Sequence, residues 1–152
     1  MPTDDYFMSL AIGQAKAAEQ LDEVPVGAVI IKNSEIIACG YNRRETDKNA
    51  LAHAEIYAID QACKKLGGWR LFECELFVTL EPCPMCMGAI INSRIKRLVF
   101  GASDYKAGCC GSVADFNKLS FNHKPEIVSG VLADECAALL SGFFKKLRNK
   151  DN

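Results

Sequence analysis

Two short clusters constrain this chain more than anything else in it: His53-Ala54-Glu55, and Glu81-Pro82-Cys83-Pro84-Met85-Cys86. A helix-length segment and an extended segment lie between them. A Cys-x-x-Cys pair presents two thiolates to one metal ion when its second half enters a helix, and a histidine at the start of another helix can supply a third ligand. Any fold that uses all three must bring two helix starts face to face. Three protein ligands leave a tetrahedral ion one position open to water, which separates a catalytic zinc from a structural one. Glu55, close to His53, is a carboxylate placed to move that water's protons.

A Cys-x-x-Cys alone also suits a redox dithiol, because Cys83 follows a strand and precedes a helix as such centres do. A closed structural zinc would need a fourth ligand, for which His123, Cys109 and Cys110 are candidates. His53 and Glu55 on their own helix start favour the open, catalytic arrangement over both.

With 152 residues the chain reads as one domain, residues 1–152, large enough to build a core without help from a metal. Its 49% hydrophobic and 24% charged residues fit a globular α/β protein. The net charge of −1 excludes a global field toward nucleic acid, so any RNA contact must come from a local basic patch. Eight cysteines would suggest disulfides in a secreted chain, but Pro2-Thr3-Asp4-Asp5 is not a signal peptide, so the compartment reads as reducing and cytoplasmic. Cys39, Cys63, Cys74 and Cys136 lie in apolar or helical runs and read as small core residues. No apolar run has the ~20 residues of a bilayer span.

Taken in order, Thr3, Asp4 or Asp5 caps a helix to about residue 21, with Phe7, Leu10, Ala11, Ala15 and Ala18 on its apolar face. Residues 24–31 and 35–40 form a hairpin turned at Asn33-Ser34. A polar loop runs to Asn49, where Asn42 reads as a turn residue and Arg43-Arg44 as a solvated pair. A helix over 52–66 is stopped by Gly67-Gly68 and places His53 and Glu55 in its first turn, where the helix dipole favours an ionised carboxylate. A strand over 73–80, a helix over 83–93 and a strand over 97–101 make a crossover unit with parallel pairing. The long segment 102–124 includes a short helix near 112–119. A strand over 126–131 follows, and then a helix capped by Asp134 and running through Leu147.

The pair H-x-E and P-C-x-x-C resembles the signature of zinc-dependent nucleobase deaminases, in which zinc yields hydroxide at neutral pH and a glutamate shuttles protons as ammonia leaves. The resemblance is wider than that motif. Residues 23–29 (Glu-Val-Pro-Val-Gly-Ala-Val), 40–43 (Gly-Tyr-Asn-Arg), 52–55, 78–83 (Val-Thr-Leu-Glu-Pro-Cys), 100–102 and 132–140 (Leu-Ala-Asp-Glu-Cys-Ala-Ala-Leu-Leu) resemble the bacterial tRNA-specific adenosine deaminases. That family converts a wobble adenosine to inosine. The resemblance implies a three-layer α/β/α fold with a five-stranded mixed sheet, of the cytidine-deaminase-like kind. It also implies a homodimer and a Zn²⁺ cofactor held by His53, Cys83 and Cys86, with Glu55 catalytic.

It further implies that Asn42 hydrogen-bonds the flipped base and Asp104 the ribose, and that Lys106, Asn122 and His123 line the path of a tRNA anticodon stem-loop. Phe144 and Arg148 match positions near the flanking nucleotides, although Phe144 also fits the apolar stripe of the last helix. Lys145, Lys146, Arg148 and Lys150 are expected to join Arg43, Arg44 and Lys106 as a basic rim. Asn49-Ala50 replaces the family's usual Asp-Pro, Cys109-Cys110 replaces small residues, and Gly142 replaces an acidic one. Pro84 also occurs in bacterial guanine deaminases, so a free guanine or cytosine deaminase is the alternative substrate reading. A non-catalytic RNA-binding subunit is a further alternative, which the presence of Glu55 opposes.

Overall fold

Helix α1 (Asp4–Gln20) opens where the Thr3 hydroxyl accepts a hydrogen bond from the Tyr6 amide, so Thr3 is the cap among the three candidates. The computed structural model describes residues 2–150. Strands β1 (Gly27–Lys32) and β2 (Glu35–Tyr41) follow, then α2 (Ala54–Leu66), β3 (Cys74–Leu80), α3 (Pro84–Asn92), β4 (Arg97–Ala102), β5 (Glu126–Val128) and α4 (Ala133–Lys150). The sheet order is β2-β1-β3-β4-β5, with β1 antiparallel to β2 and β3, and β3-β4 and β4-β5 parallel. This is the five-stranded mixed sheet that the resemblance implies.

Period-two alternation divides the sheet between two cores. Ala28, Ile30, Leu76, Val78, Leu98 and Phe100 face α2 and α3, where Ala58, Met87 and Ile90 pack on them. Val29, Ile31, Phe77 and Val99 face the other way, against Phe7, Met8, Ala11 and Ile12 of α1 and Cys136 of α4. Residues at the centres of both cores have no exposed surface, and with helices on both faces of the sheet the structure has three layers, helices over sheet over helices.

Boundaries differ from expectation where local chemistry intervenes. Pro25 cannot donate to a ladder, so β1 begins at Gly27 and not at Val24. β5 is only Glu126–Val128, shorter than the 126–131 expected. The short helix expected near 112–119 is one 3-10 turn, Phe116–Lys118, capped by Asp115. Helix α4 starts at Ala133, so Asp134 lies in its first turn and is not its cap. Cys74 and Cys136 are core residues as expected, but Cys39 and Cys63 are only half-buried at the margins of the two cores. The turn at Asn33 and Ser34 has positive φ at both residues, 51° and 64°, as the twist of a tight hairpin requires.

Gly27 sets the distance between α1 and the sheet. A Cβ there would lie 2.2 Å from the Ala11 carbonyl oxygen and 2.3 Å from the Ala15 amide nitrogen, so helix and strand touch backbone to backbone. Gly27→Ala is therefore expected to cost about 3 kcal/mol or more, read as a lowered urea midpoint. A midpoint equal to that of the unsubstituted protein would contradict this contact.

Candidate active site

At the end of the sheet where β3 and β4 finish, two helices begin. His53 is the N-cap of α2 and Cys83 the N-cap of α3, and both have extended backbone and no side-chain capping bond. Their side chains are thereby free to turn toward each other. His53 Nδ1 stands 3.6 Å from Cys83 Sγ and 3.5 Å from Cys86 Sγ. The ligand atoms of these three residues lie within 4.8 Å of one another, a group that could hold a metal ion. Cys109, Cys110 and His123 do not join it, which rules out the closed four-ligand arrangement among the described residues. His53 caps the helix and does not lie in its first turn; Glu55 does.

The electrostatics of this group are those of a cation site. Cys83 is pushed down to about 4, first by the hydrogen bond from the Cys86 thiol and also by His53. The same sulfur and burial push Cys86 far up, so the pair gives up one proton readily and holds the other. The hydrogen bond to Cys83 raises the His53 imidazole. Glu55 departs from the expectation that the helix dipole keeps it ionised: it is 4% exposed, and burial pushes its carboxyl up to about 7. A divalent cation on the neighbouring ligands favours the anionic form of each of these groups.

The ligand group opens on a cavity of about 200 Å³. Val24 and Val26 before and within the approach to β1, and Leu80 at the end of β3, give it apolar walls. Asn42 past β2, Arg44, Glu55 and Asp104 past β4 supply polar groups. A space this small, below the ~300–1,000 Å³ of drug-sized pockets, suits one planar heterocycle. Asn42 is buried, with Nδ2 donating to the Val24 carbonyl at 3.2 Å and Oδ1 accepting from the Arg44 amide at 3.1 Å. One amide proton and one lone pair remain for a ligand. Asp104 spends Oδ1 on the Lys106 and Ala107 amides and keeps Oδ2.

The other anticipated residues lie outside this lining. Lys106 and Asn122 are exposed. His123 hydrogen-bonds through Nε2 to the Ile95 carbonyl at 2.6 Å, before the start of β4 and hence toward the opposite end of the sheet from the cavity. Phe144, 42% exposed, stacks edge-on against Phe143 and is not core. Arg148 is exposed on the last turns of α4. Of the expected basic rim, Arg44 lines the cavity, while Arg43 is bound to the Asp47 carboxylate at 3.0 Å and to the Tyr41 hydroxyl. Lys146 and Lys150 line a separate groove beside Glu19 and Asp22.

Two buried glutamates hold loops in place, a role their positions in the sequence do not announce. Glu81, 2% exposed, accepts hydrogen bonds from the amides of Asp104 at 3.0 Å, Cys110 at 2.8 Å and Ser112 at 3.2 Å, and from the Ser112 hydroxyl. Gly108 is packed so closely on this carboxylate that a Cβ would lie 2.3 Å from Glu81 Cδ. Glu23, 1% exposed, accepts the amides of Glu45 and Thr46 and so holds the loop that carries Asn42 and Arg44. Glu23 follows Asp22 just before β1 and Glu81 stands between β3 and the Cys-x-x-Cys pair, and at neither position does residue type signal the distant amides that the carboxylate binds.

A model of the MafB19-like deaminases matches residues 2–148. The chain is 52% identical to the tRNA-specific adenosine deaminase of Bacillus subtilis, over 99% of this chain and 94% of the relative. A solved structure from work on A-to-I editing by tRNA deaminases at the wobble position superposes with a TM-score of 0.86 at 43% identity, covering 88% of this chain and 98% of that one. A guanine deaminase from Nitrosomonas europaea superposes with a TM-score of 0.83 at 26% identity, covering 94% and 85%.

Burial raises the Glu81 carboxyl, but the hydrogen bonds from Ser112, Asp104 and Cys110 outweigh it and hold its pKa below the ordinary value. A depressed folded pKa contributes stability that is fully present above the unfolded value of about 4.3 and is lost as pH falls through the folded value. Glu81→Gln is expected to lose about 2 kcal/mol at neutral pH and to show a flatter acid limb in melting temperature against pH. Parallel acid limbs in the two proteins would contradict this assignment.

Proposed function

This chain belongs to the tRNA-specific adenosine deaminases within the MafB19-like deaminase family, and on that premise we propose that it converts the wobble adenosine of a tRNA anticodon to inosine at a zinc centre made of His53, Cys83 and Cys86. The observation that carries the reading is a three-donor group open on one side to a base-sized cavity, with the buried Glu55 carboxyl in that cavity's wall. Zinc fits the donors: a tetrahedral ion at ordinary bond lengths needs nitrogen-to-sulfur edges of about 3.6 Å, and the edges here are 3.6 and 3.5 Å. Two thiolates and an imidazole are also the donor set such a borderline-soft cation prefers.

When bound, the ion supplies the Lewis acidity that lets water ionise near neutral pH. Glu55 does the proton work. It takes one proton from the attacking water and delivers it to ring nitrogen N1 as the water oxygen bonds to C6. It then moves the remaining hydroxyl proton to the exocyclic amine. The C6–N6 bond breaks, ammonia leaves, and C6 keeps a carbonyl oxygen. Taking the first proton requires Glu55 as the carboxylate, the form that a cation on His53, Cys83 and Cys86 would favour. Asn42 reads the base edge with its spare amide proton and lone pair, and the free Oδ2 of Asp104 accepts from a ribose hydroxyl.

An adenosine in a single-stranded loop is extruded more cheaply than one in a duplex, which suits a cavity with room for one base. The loop RNA on either side of it runs past Lys106, Phe144 and Arg148, while His123, held on the Ile95 carbonyl, and its neighbour Asn122 lie toward the other end of the sheet. The chain acts as one deaminase domain in a homodimer. No helix among the described residues is long and apolar enough to cross a membrane, which fits an enzyme of the cytoplasm. Likeness to a guanine deaminase supports free-base deamination as a second reading, at lower identity.

Mass spectrometry of an anticodon stem-loop incubated with the zinc-loaded protein is expected to show the mass gain of amine-to-carbonyl exchange at the wobble position. Free guanine and cytosine should remain unchanged; the reverse outcome would favour the second reading. Glu55→Ala is expected to reduce turnover by about 10³-fold or more with zinc content unchanged by atomic absorption. Turnover surviving at the original rate would remove Glu55 from the chemistry.

A further inference from the structure

Beyond β4 the chain runs Asp104-Tyr105-Lys106-Ala107, a single turn whose two ends line the cavity. The two residues between them therefore form its crest. Tyr105 is 82% exposed, more than any other large apolar side chain among the described residues. Within those residues no ring partner and no cation sits on it. A ring left in water forgoes its burial free energy, and here it does so on a backbone that is held fast. The Glu81 carboxylate binds the amides of Asp104, Cys110 and Ser112, Asp104 Oδ1 binds the amides of Lys106 and Ala107, and the Gly108 amide donates to the Asp104 carbonyl at 2.8 Å. Exposure here is thus not the looseness of a free loop tip. The crest is anchored from inside the protein while its aromatic face is presented outward.

Turning one base out of a strand and into a cavity leaves its neighbours without a stacking partner. Aromatic faces are what proteins offer to such unstacked bases, and the sequence of the base matters little to them. We propose that Tyr105 is a stacking platform for the nucleobase next to the target adenosine, with the adjacent exposed Lys106 ammonium pairing the phosphate between them. The inference rests on the tRNA reading above and adds to it a subsite for the flanking nucleotide.

The test uses the full-length, zinc-loaded protein and an anticodon stem-loop with 2-aminopurine beside the target on one side or the other. At one of these positions the unsubstituted protein quenches the fluorophore, and Y105F, which keeps the ring, does the same. Y105A abolishes the quench and raises KM by about 5- to 100-fold, with kcat within about threefold. Melting temperature, zinc content and sedimentation mass are unchanged in Y105A, as befits an exposed side chain.

Unchanged KM in Y105A, a quench that survives the loss of the ring, or no quench at either position with the unsubstituted protein each overturns the platform. A fall in sedimentation mass in Y105A that accounts for the lost affinity also overturns it, and makes the ring part of a subunit contact. Quenching reports binding and not turnover. A protein that quenches yet leaves the adenosine intact would therefore sink the deaminase reading and leave the platform standing.

Discussion

One imidazole nitrogen and two sulfurs converge within 4.8 Å, and most of what the fold does serves that convergence. In the mixed sheet β2 and β3 are each antiparallel to the β1 strand between them and so run the same way, which lets α2 and α3, the helices that follow them, start at the same end. His53 and Cys83 occupy the N-cap positions of those helices, where extended backbone lets a side chain leave the helix axis. Packing alone does not favour the result. A buried carboxyl, a thiolate and a second thiol are crowded together; burial raises Glu55, and the hydrogen bond to Cys83 together with burial raises Cys86. Such a cluster is costly in the absence of a cation and complementary to one.

Around this centre the protein uses buried carboxylates as anchors for loop backbone. Glu23 gathers the amides of the loop after β2, and Glu81 gathers those of the loop after β4. Irregular backbone cannot satisfy its own amides as a helix or sheet does, so an ionised side chain with several acceptor sites substitutes for a ladder. The walls carrying Asn42, Arg44 and Asp104 are therefore fixed from within. Gly108 has to be glycine for the same reason, since its neighbour is the Glu81 carboxylate itself.

The sequence was most informative where chemistry and periodicity coincided. His53, Cys83 and Cys86 carry donor atoms at spacings that two helix starts reconcile, and the continuous apolar runs of β1, β3 and β4 mark strands buried on both faces. Boundaries that depend on a single residue were less legible: Pro25 delays β1, and Ala133 starts α4 before Asp134 can cap it. The environment of Glu55 is only half legible, because the helix dipole can be read from position, whereas burial at 4% exposure arises only from the assembled fold. The roles of Glu81 and Glu23 are hidden in the sequence for a related reason. Their partners are amides distant in sequence, and a backbone amide has no residue type to signal it.

The hairpin turn at Asn33 and Ser34 lies at the other end of the sheet, a full strand length from the ligand group. Both residues are exposed and adopt a left-handed conformation that the two-residue turn demands. Solvent surrounds this tip, and no cavity wall depends on it. It is accordingly the natural place to splice in a tag, a fluorophore or a second protein without disturbing the chemistry at the far side, because extra chain there costs little more than loop-closure entropy.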